Sequence, residues 1–161
     1  MHATPTTTAT LLRDAAFHLS QYGLHREHAF VGPNTRAHLD HGPLDVCAAV
    51  YLAATASPLP PLFHSADTAD EQAAIELIKA QPQAMAAIHA LWDGLDSKIT
   101  EADVSDELPT ADGPDEWIDR VSYWAATAPV SWAKPPTLIE VMGRLIRTAD
   151  ALEQQHTALA A

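Results

Sequence analysis

No stretch of this sequence alternates apolar and polar residues for long enough to make a strand. Stretch after stretch instead spaces its apolar residues three and four apart, the period of a helix. "TATLLRDAAFHLSQYG" opens on threonines able to cap and sets Leu12, Ala15, Ala16 and Leu19 on one face. It closes at Gly23, a residue type that readily takes the left-handed turn ending a helix. In "GPLDVCAAVYLAATASP", Pro43 suits a first turn and Asp45 suits the positive pole of the helix dipole. Val46, Cys47, Ala49, Val50, Leu52 and Ala53 cover more than one stripe, which predicts the most buried helix of the set.

"SPLPPLF" then interrupts the pattern, because each proline disfavours helix at the residue before it. Thr68 and Glu71 have capping-box spacing ahead of Ile75 and Ile78. Pro82 can begin a helix that carries Met85, Ile88 and Trp92 inward and stops near Gly94. Pro114 begins another, with Trp117, Val121, Trp124 and Ala128 recurring at helical spacing, so that Trp117 and Trp124 read as core residues. A second capping-box pair, Thr137 and Glu140, starts the last, whose apolar face is Leu138, Val141, Met142, Leu145, Ala149 and Leu152. The expectation is an all-α fold, a single-domain helical bundle over 1–161 with five to six helices. Residues 1–7 are expected to be disordered, and 93–113 to form one acidic, loop-rich insertion with room for a short helix in "TEADVSDEL".

The 161 residues can bury roughly 70% of the surface of the unfolded chain, so a core needs no covalent staples. A single cysteine, Cys47, forms no intrachain disulfide and fits a reducing compartment. The opening residues lack the basic and long apolar regions of a secretory signal, and no apolar run spans a bilayer, so the expected location is the cytoplasm. The formal charge of −12 argues against binding nucleic acid or an anionic membrane. Arg144 and Arg147 on the last helix are two cations against that balance, too few for a DNA-reading face.

"LLRDAAFHLSQYG", "LDVCAAVYLAA" and "YWAATAPVSWAKPPTLIEVMGRLIRTADAL" together resemble an uncharacterised actinobacterial and phage family, domain of unknown function 6197. The resemblance rests on the arginine-bearing first helix, a cysteine-led second helix, and Trp124, Pro129, Thr137, Glu140 and Val141 toward the end. It covers about half of the chain and leaves the acidic middle unmatched. Where the family has an asparagine–aspartate pair and an arginine before the threonine, this chain has Ala125-Ala126 and Pro136. The resemblance implies a small helical protein of the accessory genome and brings no activity with it.

Three features invite a functional reading. "HREHAFVGPNTRAHLDH" sets His25, His28, His38 and His41 as two H-x-x-H pairs, with Asp40 and Asp45 able to complete or orient a shell. Closely spaced pairs let one segment supply two vertices of a zinc tetrahedron, so zinc or another transition metal is the cofactor this pattern would take. The more ordinary reading of the same stretch is a polar loop with solvated histidines, turning at Gly32-Pro33-Asn34. From Asp93 to Asp119, ten acidic residues face one lysine. Asp103, Asp106, Glu107, Asp112, Asp115 and Glu116 would offer carboxylates to a basic protein, an attraction that fades with salt. Trp132, among prolines in "PVSWAKPP", could anchor in a partner's groove or staple its loop onto the last helix.

No nucleophile elbow, P-loop, dinucleotide fingerprint or EF-hand is present, so no catalytic residue is nominated. The preferred expectation is a non-enzymatic interaction module without a cofactor, acting on a basic protein partner. Pairing as a homodimer stays open, and the metal-binding protein is the alternative.

Overall fold

The computed structural model describes residues 5–95 and 113–161. Among them six α-helices form: α1 Pro5–Tyr22, α2 Val46–Thr55, α3 Thr68–Lys79, α4 Pro82–Asp93, α5 Pro114–Ala126 and α6 Leu138–Ala160. A short 3-10 turn at Pro61–His64 links α2 to α3. The all-α expectation holds, and no described helix is long and apolar enough to cross a membrane. The first helix starts at Pro5, so part of the segment expected to be disordered is helical. The short helix expected in the acidic insertion lies outside the described residues.

Local chemistry explains most boundaries. Gly23 takes φ +90 and its N–H closes back on the Leu19 carbonyl, a conformation that costs glycine nothing. Pro82 and Pro114 each open a helix where a missing N–H does no harm. Thr137 and Glu140 form the reciprocal capping box, hydroxyl to the Glu140 N–H and carboxylate to the Thr137 N–H. Two starts differ from expectation. Asp67, not Thr68, caps α3, because the aspartate one residue earlier already accepts the Ala69 N–H. The second helix begins at Val46, after Asp45 as its cap, and Pro43 stays outside it.

The first and last helices lie side by side in the most extensive contact of the fold, and α1 also packs on α2 and α4. Leu12, Leu19, Ile78, Ile88, Leu91, Ile118 and Leu145, drawn from five of the helices, are shut from solvent in one shared core. Full burial of each such side chain contributes about 1.5–3 kcal/mol. Every residue of α2 from Val46 to Leu52 is buried, as its all-round apolar pattern predicted. Trp117 and Trp124 pack against the core while keeping part of their surface exposed.

The histidine-rich connector between α1 and α2 keeps much of its middle in solvent, as its polarity suggested, but its ends are tied down by backbone bonds. Leu44 donates to the Gly23 carbonyl while His25 donates to that of Leu44, and Gly32 donates to that of Pro43. Asp45 donates to the Phe30 carbonyl, and Phe30 and Val31 both donate to that of Phe63. These bonds draw the backbone so close that a Cβ on Gly42 would stand 2.1 Å from the Gly32 carbonyl oxygen and 2.7 Å from that of Pro33. Backbone cannot swing aside as a side-chain tip can. Gly42→Ala is therefore expected to lower stability by about 1–3 kcal/mol or more in urea unfolding. Gly143→Ala in α6 meets only the mobile tip of Arg147 and should be neutral or stabilising, which makes it the control.

Candidate functional site

The four histidines of the two H-x-x-H pairs do not converge. The His25 ring bonds through Nε2 to the His28 carbonyl at 3.1 Å, while the side chains of His28 and His38 are exposed. His41 turns the other way and is buried, its ring 5.6 Å from Tyr22 and 6.1 Å from His64. Among the described residues no group of three or more His, Cys, Asp or Glu is arranged to hold a metal ion. The reason is in the backbone. The backbone bonds that tie Gly23, His25, Gly32 and Leu44 together fix the course of the connector, and along that course His41 is buried while His28 and His38 stay exposed.

Asp45, a candidate to complete that shell, is instead the buried cap of α2. Its Oδ1 accepts the Cys47 N–H at 2.7 Å and the Ser122 hydroxyl at 3.0 Å, which joins α2 to α5. Burial pushes its carboxyl up to about 6, opposed by the bonds from Cys47, Ser122 and Ala48. Cys47 is fully buried, with its thiol toward the Ile118 carbonyl at 3.7 Å and the Ser122 hydroxyl at 3.4 Å. Burial and the adjacent Asp45 raise the thiol well above its ordinary value, which favours the neutral thiol there.

What the fold does assemble around His41 is a cleft of about 410 Å³ between α1, the Asp40–His41 turn and the end of α2. Asp14, Phe17, His18 and Tyr22 line it from α1, and Leu52, Ala53 and Ala56 from α2. The rings of His18 and Tyr22 lie 6.4 Å apart. Burial lowers His18, against the pull of Asp14. It also lowers His41, helped by His64 and His18 and opposed by Asp40. Both rings have Nδ1 shut from solvent without a hydrogen-bond partner. The linear motif missed His18, Tyr22 and Asp14. A signal was present: they recur every fourth residue, one stripe along α1.

The acidic candidates divide. Asp103, Asp106, Glu107 and Asp112 lie outside the described residues. Asp115 is paired with Lys79 at 3.1 Å, and Glu116 is held by Arg120 one turn on in α5. Both carboxylates already have a cation of the fold beside them, Asp115 in a largely exposed pair and Glu116 in a more covered one. Beside them Asp119 is raised by burial and by the charges of Asp115, Glu71 and Glu116. Trp132 stands clear, 85% exposed, in the loop between α5 and α6. Val130 in the same loop and Ile139 in the first turn of α6 are exposed as well. Within the loop Ala133 donates to the Val130 carbonyl, and near its end Arg26 donates to the Pro136 carbonyl at 2.6 Å.

Comparison with protein-family models, with curated proteins and with solved structures finds no match to this chain.

Proposed function

We propose that the chain is a non-enzymatic, cytoplasmic interaction module of the accessory genome that seats Trp132 in an apolar groove of a basic protein partner. The observation that carries this reading is the tryptophan itself. An indole 85% exposed, on a loop whose backbone Arg26 ties at Pro136, is a large apolar group available to a partner's pocket. Val130 and Ile139 extend the apolar contact beside it. The loop carries Lys134, so the attraction to a basic partner comes from the chain's overall charge of −12. The ion pairs of Asp115 and Glu116 lend the α5 carboxylates less support as a contact than the exposure of Trp132 lends this loop.

The test uses the full chain immobilised beside its Trp132→Ala variant, each exposed to extract of the native host at low and at high salt. A basic protein retained by the wild type at low salt, released by salt and absent from the variant supports the reading once its purified form binds with the same pattern. Equal retention by both chains, or nothing retained at low salt, overturns it. Because Trp132 is so exposed, Trp132→Ala is expected to change the unfolding free energy by no more than about 0.5 kcal/mol. Loss of binding is therefore separable from loss of fold.

A further inference from the structure

The cleft beside His41 stands apart from the Trp132 loop, and its electrostatics have a definite sign. Asp14 and Asp40 both line it, one from α1 and one from the turn before α2. Both are exposed, and among the described residues neither forms a hydrogen bond or an ion pair. No lysine or arginine lines the cleft. The far wall is the end of α2, where Ala56 takes the left-handed conformation and closes on the Leu52 carbonyl. That end is the negative pole of the helix dipole. His41, only 6% exposed, belongs to the wall with its Nδ1 unpartnered, and a neutral imidazole does not cancel the two carboxylates.

The rest of the lining is apolar and aromatic. Phe17 is 58% exposed at the rim, a phenyl ring left in water on a helix that otherwise buries its large apolar groups. Tyr22 offers a second ring, and Leu52 and Ala53 give an aliphatic wall. Aromatic faces attract cations, most strongly where water is partly excluded. A volume of about 410 Å³ suits a small molecule rather than a peptide.

We propose that this cleft binds a small organic cation, a primary ammonium on an apolar body, with Asp14 and Asp40 taking the charge and Phe17, Tyr22 and Leu52 taking the body. A metal ion is the poorer occupant, since no three ligating groups converge there. An anion would meet both carboxylates and the helix's negative pole.

The experiment titrates the isotope-labelled full chain near neutral pH, at fixed ionic strength, with 2-phenylethylammonium, the neutral 2-phenylethanol and the anionic phenylacetate. The amides of 52–57 and the ring protons of His18 and His41 report. Saturable shifts are expected with the ammonium, binding at least roughly tenfold weaker with the alcohol, and none with the carboxylate. Asp14→Asn and Asp40→Asn should each weaken the ammonium several-fold, and together roughly tenfold or more, at an unchanged Tm. Failure of the ammonium to saturate overturns the proposal. So does equal binding of the alcohol or the anion, or undiminished binding in the folded double variant.

Discussion

Asp45→Ala is expected to remove roughly 2–4 kcal/mol of stability below about pH 5, and Asp45→Asn distinctly less. The alanine strips the cap from α2 and leaves the buried Cys47 N–H without an acceptor, and the Ser122 hydroxyl loses its bond to α2 as well. Loss of the cap, which is the Cys47 N–H bond itself, costs about 0.5–2 kcal/mol, and stranding the Ser122 hydroxyl adds about 1–3 kcal/mol, so the expected loss is the middle of their summed span. Asparagine caps as well as aspartate and keeps one accepting oxygen, but turns an amide donor where the Ala48 N–H now meets a carboxylate.

The pH dependence separates capping from charge. In the folded chain Asp45 holds its proton up to about pH 6, whereas the unfolded chain releases it near 3.8. Between those values the folded state binds more protons, so this group's contribution is full below the window and is lost as pH rises through about 6. The loss amounts to about 3 kcal/mol, because an ionised carboxylate must then stay buried. The neutral asparagine has no such slope. Burial holds His18 and His41 neutral and makes stability fall as pH drops below about 6.5, but equally in both proteins, so it cancels from the difference. Urea unfolding across pH should show the wild-type advantage over Asp45→Asn shrinking from about pH 4 to about pH 7. A gap independent of pH would mean that Asp45 is not desolvated in the folded chain.

The helices were legible because their signals are local. Pro82, Pro114, the Thr137–Glu140 box and the stops at Gly23 and Gly94 act within one turn of chain, and each sits where the sequence put it. The misreadings are local competitions. Asp67 outranks Thr68 as a cap by standing one residue earlier, and Pro43 is drawn out of α2 by its carbonyl's bond to Gly32. The site was less legible, because neighbouring histidines in sequence imply nothing about shared direction. The groups that face one another come from α1, from the turn before α2 and from the end of the 3-10 turn. Only the Asp14–His18–Tyr22 stripe was visible beforehand; its meeting with His41 depends on how α1 packs on α2. Trp132 was readable as an anchor or a staple, and at 85% exposure its indole is not packed down as a staple would be.

Phe63 shows the limit of periodicity most sharply, and carries the other large expected effect. It ends "SPLPPLF", a segment whose prolines mark it as a break, yet it is a fully buried side chain of the first rank in size. Its ring lies 5.0 Å from that of Tyr51 on α2 and 5.8 Å from that of Phe30 in the connector. Its carbonyl receives the N–H groups of both Phe30 and Val31. The same residue therefore locks the proline segment, the histidine-rich connector and the most buried helix through ring and backbone together. Phe63→Ala empties the ring's place while leaving the backbone bonds chemically intact, so about 3–5 kcal/mol should be lost. Phe63→Leu refills most of the volume but lacks the aromatic contacts, worth about 0.5–1.5 kcal/mol per ring pair beyond burial. It should fall between the wild type and alanine. Urea unfolding that places Phe63→Ala within about 1 kcal/mol of the wild type would show that the proline segment lies on the bundle without forming part of its core.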